Sequence, residues 1–229
     1  MSTQLLPFIS DKDLYSKVKP LITLVERTAS DEEKRMYKNI IDPFSAVFDA
    51  AKQNITLSKW LEQEKSRQIQ KTLQNEIGFF HQEILGAISG WESLPVGGII
   101  DVRNRDKKII AEIKNKYNTT NSSSAEALYD HLSEQLKTSY QGYKAYHVQI
   151  IPKSKGGYDK PYAPSHRPLN ENIRVIDGKS FYAMVSGYRD ALKQLYMVLP
   201  RVISDILQKP TSNVTNDALF IQLFEKAYP

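Results

Sequence analysis

The chain has 229 residues, no cysteine, 31 basic against 26 acidic side chains and a formal net charge of +5. Lack of cysteine removes disulfides and every thiolate zinc site and fits a reducing cytosol, while no run approaches the ~20 apolar residues of a membrane span. The mild positive charge permits an anionic partner without requiring one, and the N-terminal MSTQLLPFISDKD lacks the basic and long apolar regions of a signal peptide.

A chain of this length buries one good core, so residues 1–229 are expected to form a single domain, helical over 1–90 and holding the chemistry over 91–229. Asp11 to Thr28 and Ser30 to Asn54 predict short helices, interrupted by Pro20 and Pro43 because proline removes a backbone donor. From Thr56 a long amphipathic helix is predicted to about Ser89. Its apolar stripe is Ile69, Leu73, Ile77, Phe80, Ile84 and Ile88, spaced by threes and fours, and Gly90 ends it. His81 lies on the flank of that stripe and reads as a buried, hydrogen-bonded structural histidine. Strands are expected near 97–103, 107–116 and 144–151, with a helix at about 123–141 between the last two. Ser122-Ser123-Ser124, with Glu126 in the first turn, marks the start of that helix. A short strand at 172–176 precedes a helix from about Lys179 to Gln208, broken or kinked at Pro200, and a final short helix follows Thr211. Neither an internal repeat nor a low-complexity segment is present. The elements together predict an α/β (α+β) fold, a mixed sheet flanked by helices.

The chemistry concentrates in residues 97–124, GGIIDVRNRDKKIIAEIKNKYNTTNSSS. Asp101 ends one apolar run, Glu112 and Lys114 lie inside the next, and Asn104-Arg105-Asp106 forms a polar turn between them. Side chains alternate along a strand, so Glu112 and Lys114 emerge on one face. A carboxylate beside an ammonium, with a second carboxylate from the neighbouring strand, suits a hard divalent cation and an activated water against a phosphodiester. Three other acid-x-Lys triplets occur, Glu32-Lys34, Asp106-Lys108 and Asp177-Lys179, but only Glu112-x-Lys114 lies in a strand-like run. The competing reading is a surface hairpin with solvated charges. Register poses a difficulty: a three-residue turn at 104–106 pairs Asp101 with Ile109, about 10 Å from Glu112 along a flat ladder. A bulge, a bend or another register must close that gap. Asp106 is the rival first carboxylate, though an acid at a turn tip points to solvent.

Charge distribution adds a second feature. Residues 137–189 hold nine Lys/Arg against three Asp/Glu and seven of the thirteen tyrosines. Within them HVQIIPKSKGGYDKPYAPSHRP runs from a strand into a loop rich in Gly, Pro, Lys and Tyr, a composition suited to phosphates and base edges. Lys153, Lys155, Lys160 and Arg167 are the candidates, against the alternative of an ordinary solvated loop. The four histidines lack a His-Asn-His context, and no G-x-S-x-G, Walker or dinucleotide glycine pattern occurs.

The stretch IIDVRN followed by IIAEIKNKYNT resembles the PD-(D/E)xK nuclease superfamily, in particular type II restriction endonucleases and the branch cutting GGNCC-like sites. GWESLPVGG and RVIDGKSFYAMVSG extend the likeness over about two-thirds of the chain. The sequence departs from the motif at its first letter, since Ile100 precedes Asp101 and Pro95 lies six positions upstream. The resemblance implies a restriction-endonuclease-like core and hydrolysis of double-stranded DNA in a bacterial cytoplasm. It assigns Asp101 and Glu112, with the Ile113 carbonyl, to Mg²⁺, with Mn²⁺ as a substitute, and Lys114 to the attacking water. Superfamily members often place a glutamate on the helix before the first core strand. Glu76, roughly 70° from the centre of the apolar stripe, and Glu83, roughly 90°, are its candidates here, Glu76 the better placed. Asn115, Lys116 and Asn118 are expected to contact the DNA backbone. A homodimer and a neighbouring DNA methyltransferase gene are further implications. A structure-selective repair nuclease and an inactive DNA-binding module on the same core are the alternatives.

Overall fold

The computed structural model describes residues 4–30, 41–95, 97–119, 121–154 and 156–228. By contacts the chain forms two compact units, one of Met1–Val18 with Gly78–Pro229 and one of Lys19–Ile77. The boundaries fall inside helices α1 (Asp11–Ser30) and α3 (Leu57–Gly86).

The Lys19–Ile77 unit is helical, as expected, but its proline punctuation differs. Pro20 lies inside α1, which continues through it. Pro43 starts helix α2 (Pro43–Gln53) and does not interrupt one, since proline's missing donor costs nothing at a first helical position. Asp42 caps that helix by accepting from the Phe44 N–H at 3.0 Å, and Asn54, in the left-handed conformation, ends it. A small core of Ala46, Ala50 and Trp60 holds α2 to α3, and the Trp60 Nε1–H donates to Asp49 at 2.9 Å.

The other unit contains a six-stranded sheet in the order β1-β2-β3-β4-β6-β5. Its strands are β1 (Glu92–Ser93), β2 (Val102–Asn104), β3 (Ile109–Lys116), β4 (Lys144–Ile151), β5 (Asp159–Pro161) and β6 (Ile173–Asp177). The β3, β4 and β6 strands run parallel, whereas β1–β2, β2–β3 and β5–β6 are antiparallel. Helix α4 (Ser122–Lys137) makes the crossover from β3 to β4 that a parallel pair requires. The fold is therefore the expected mixed α/β sheet flanked by helices. Sequence pattern missed the edge strands β1 and β5, two and three residues long, too short for a period-2 signal, and the strand expected near 97–103 covers only Val102–Asn104, because the chain still turns at Gly97 with φ +95.

Two helix ends also shift. The long helix stops at Gly86 and not near Ser89, and only glycine fits at its end, since a Cβ there would lie 2.4 Å from the Ser93 amide nitrogen of β1. The expected break at Pro200 does not occur. Pro200 is buried inside α6 (Ala191–Leu207), and the chain breaks earlier, at Gly187 with φ +79, which separates α5 (Gly178–Ser186) from α6. An interior proline costs about 3 kcal/mol, a sum that burying Leu192, Leu195 and Val202 can offset at about 1.5–3 kcal/mol each. The final segment forms α7 (Ser212–Thr215) and α8 (Leu219–Ala227).

Both sheet faces are covered. Ile110, Ala145 and Ile173 pack against Leu128, Tyr129 and Leu132 of α4. On the opposite face Phe181 of α5 meets Tyr146 and Trp91. Gly178 lets α5 start against β4, since a Cβ there would lie 2.4 Å from the Ile150 carbonyl oxygen. Strand alternation then continues the α4 face from Ile110 to Glu112 and Lys114 on β3, and from Ala145 to His147 and Gln149 on β4.

Candidate active site

The hairpin resolves the register difficulty. Val102 pairs with Ala111, Arg103 with Ile110 and Asn104 with Ile109, so four residues, Arg105 to Lys108, close the turn in place of three. Asn104 Oδ1 accepts the Lys107 N–H at 2.8 Å, and Lys108 takes φ +50 to re-enter the sheet. One step past the ladder, the Asp101 N–H donates to the Ala111 carbonyl at 2.9 Å. The Asp101 Oδ2 accepts the Ile113 N–H at 2.6 Å, which sets its carboxylate beside Glu112. Gln82 of α3, buried, donates to the Asp101 carbonyl at 3.2 Å and the Leu94 carbonyl at 3.0 Å. This residue fixes the backbone at the first acid, and helical periodicity alone gave no sign of it.

Glu112 is 9% exposed, and Lys114 Nζ lies 2.5 Å from its Oε1. The other oxygen, Oε2, is buried without a hydrogen-bond partner. Burial first, then the charge of Asp101, pushes the Glu112 carboxyl up to about 7 against the pull of Lys114. Burial likewise raises Asp101, against the Ile113 N–H. A buried carboxyl, Glu112, with an idle oxygen, and a half-buried one, Asp101, in mutual repulsion form a site that a divalent cation would relieve. Among the described residues no group of three His, Asp or Glu side chains stands ready as a metal cage. A cation held here would therefore take its other ligands from backbone, water or substrate, which suits Mg²⁺.

On β4, His147 pairs with Glu112 and Gln149 with Lys114. His147 is 1% exposed, and burial, then the Lys114 charge, lowers its pKa to about 4. Neither residue was singled out from sequence. A polar pair two residues apart in an apolar strand beside the active one was the available signal.

The remaining candidates divide. Ile113 lies in β3 between Glu112 and Lys114. Asn115 and Lys116 continue that strand, half-buried, and Asn118 is exposed in the 3₁₀ turn Tyr117–Thr119. Lys153 and Lys160 are exposed beyond β4, with Lys160 Nζ 5.8 Å from the centre of the Tyr158 ring. Lys155 lies outside the described residues, as does the rival pair Glu32-Lys34. Arg167 does not present a free guanidinium: it grips both oxygens of Asp130 at 2.6 Å and lies 3.5 Å from Glu126. Glu76 belongs to the Lys19–Ile77 unit, where it is half-buried. Glu83 is bound to Lys17 at 2.6 Å. His81 is buried and bonded to the Tyr182 hydroxyl at 2.8 Å, as expected of a structural histidine. Asp106 is exposed at the turn, and Asp177 caps α5 through the Ser180 N–H at 3.0 Å, so both rival acids have other roles.

The family model described as Eco47II restriction endonuclease matches residues 6–208. The type II restriction enzyme Eco47II of Escherichia coli is 39% identical, across 98% of this chain and 99% of its own length. The type II restriction enzyme Sau96I of Staphylococcus aureus is 32% identical, across 99% of this chain and 91% of its own length. No solved structure matches.

Proposed function

Because the chain belongs to the Eco47II restriction endonuclease family, we propose that it is a type II restriction endonuclease that hydrolyses double-stranded DNA at GGNCC-like sites from the Asp101–Glu112–Lys114 centre. The observation that carries the assignment of the centre is the mutually repelling pair of Asp101 and buried Glu112, with Lys114 on one oxygen of Glu112 and the other oxygen idle.

Asp101 and Glu112, with the Ile113 carbonyl between Glu112 and Lys114, would hold Mg²⁺, with Mn²⁺ as a substitute. Bound there, the cation supplies Lewis-acid polarisation of the scissile phosphate and acidifies water. The Ile113 N–H holds the Asp101 carboxylate in place, which removes a rotamer search from the reactive state. Glu112 anchors Lys114, whose Nζ orients the attacking water and offsets charge gathering on the phosphorane. Asn115, Lys116 and Asn118 extend from the same strand toward the phosphate backbone. Lys153 beyond β4 and Lys160 in β5 provide exposed cations, and Lys155, between them in sequence, is a third candidate. Arg167, in the connection from β5 to β6, is tied to α4 through Asp130 and is a DNA contact only if that pair opens.

A near-palindromic site has one scissile bond on each strand, so the enzyme acts as a homodimer with one centre per strand. A DNA methyltransferase encoded nearby would protect the host's own sites. None of the described helices is long and apolar enough to cross a membrane, and a bacterial cytoplasmic setting fits the substrate. The test is incubation of mixed-sequence DNA with the protein and Mg²⁺, followed by mapping of fragment ends. Ends that share one short near-palindrome support the reading, and random or absent ends refute it.

A further inference from the structure

Beside the cutting centre runs a chain of hydrogen bonds that the mechanism above does not use. Tyr158 Oη lies 2.6 Å from Gln149 Oε1, and Gln149 Nε2 lies 3.1 Å from His147 Nε2. The Gln149 oxygen can only accept, so the Tyr158 hydroxyl donates to it and the polarity of the chain is fixed there. Tyr158 passes its own proton to the Gln149 oxygen, and the Gln149 amide N–H points at His147. An imidazole that accepts at Nε2 is neutral and carries its single proton on Nδ1.

That Nδ1 is buried and has no partner, and Glu112 Oε2, on the strand paired with it, is buried and has none either. His147 and Glu112 are register partners in a parallel ladder, which puts their side chains next to one another on the α4 face. A lone buried N–H and a lone buried carboxylate oxygen are each costly to leave unmade, at about 1–3 kcal/mol. One water between them would satisfy both.

We propose that Tyr158, Gln149 and His147 form a polarised relay that presents the His147 Nδ1–H, through one buried water, to the free oxygen of Glu112. His147 and Gln149 are then positioning residues for the carboxylate on which cutting depends. The inference rests on the reading of Glu112 as part of the nuclease centre. The relay also gives β5 a purpose. It ties Tyr158, next to β5 in sequence, to the centre, and the Tyr158 N–H is itself anchored on Asp177 Oδ2 at 2.7 Å.

The first measurement is long-range ¹H–¹⁵N NMR of His147 in the metal-free protein, which distinguishes the two tautomers without any cleavage. Wild type is expected to show Nδ1–H. In Tyr158→Phe and Gln149→Leu the Nε2–H form, intrinsically favoured in free imidazole, should gain population. The second measurement is steady-state cleavage at saturating Mg²⁺. Gln149→Leu and His147→Leu should lose about 10–100-fold in kcat, as supporting partners of metal ligands do, with KM for DNA unchanged. His147→Asn keeps an N–H donor where Nδ1 stood, so it should retain more activity than His147→Leu. An Nε2–H tautomer in wild type overturns the relay, and so does wild-type kcat in His147→Leu. If the wild-type protein cuts no DNA, the nuclease reading fails instead, and the tautomer in the metal-free protein decides the relay alone.

Discussion

Asp101 and Glu112 meet one step beyond the last rung of the β2–β3 ladder, the Val102–Ala111 pair. Asp101 leans across on the Ile113 N–H, and the two carboxylates share a buried face with Lys114. The arrangement is costly for the metal-free protein and useful to one that binds a divalent cation and phosphate.

That cost has a pH signature. The Glu112 carboxyl is raised to about 7 from an ordinary value near 4.5, burial being the larger cause and Asp101 the next. A raised carboxyl keeps its proton in the native state at pH values where the unfolded chain has released it. The native state then binds more protons, so stability falls as pH rises from about 4.5 to 7. Chemical denaturation without metal should therefore show lower stability at pH 8 than at pH 5. Glu112→Gln should reduce that loss by about 1 kcal/mol or more. An identical pH dependence in wild type and Glu112→Gln would contradict the buried pair.

The rival acid-x-Lys triplets provide internal controls. Asp106 is exposed at the turn, and Lys179 is exposed on α5 next to a capping aspartate. Asp106→Asn and Lys179→Ala should leave cleavage within a few-fold of wild type. A dead Asp106→Asn beside an active Asp101→Asn would move the first carboxylate to the turn.

The basic loop should separate into two kinds of residue. Replacing Lys153, Lys155 and Lys160 together with alanine should weaken DNA binding and lower the salt slope by about one for each phosphate that is no longer neutralised. Arg167→Ala should mainly loosen the loop, because its guanidinium is bound to Asp130. Binding isotherms across a salt series, with thermal melts alongside, distinguish the two effects. An unchanged slope in the triple variant would place the DNA surface elsewhere.

The fold was legible in sequence wherever periodicity was long. The α3 stripe, β3 and β4 follow directly from apolar spacing, and so does the mixed sheet. The Glu112-x-Lys114 triplet was legible because it lies within such a run. What escaped depends on contacts between distant segments. The four-residue turn that brings Asp101 to Glu112 rests on Asn104 accepting from Lys107 and on Lys108 entering positive φ, neither of which a turn-length rule encodes. Gly86, the last residue of α3, has to be glycine because Ser93 of β1 lies against it. Arg167 looked like a DNA contact from composition, and its partner Asp130 lies 37 positions earlier on α4. His147 and Gln149 acquire meaning only from the β3–β4 register.

The central claim is most directly tested by single-site cleavage of duplex DNA, with Mg²⁺ and with excess chelator, by wild type, Asp101→Asn, Glu112→Gln and Lys114→Ala, with DNA affinity measured alongside. Wild type should cut with Mg²⁺ and stop in chelator. Each variant should lose about 10²–10⁴ in rate while keeping or gaining affinity, since removing a carboxylate removes repulsion of phosphate. Undiminished cutting in chelator, or a fully active Lys114→Ala, would contradict the assignment of the centre.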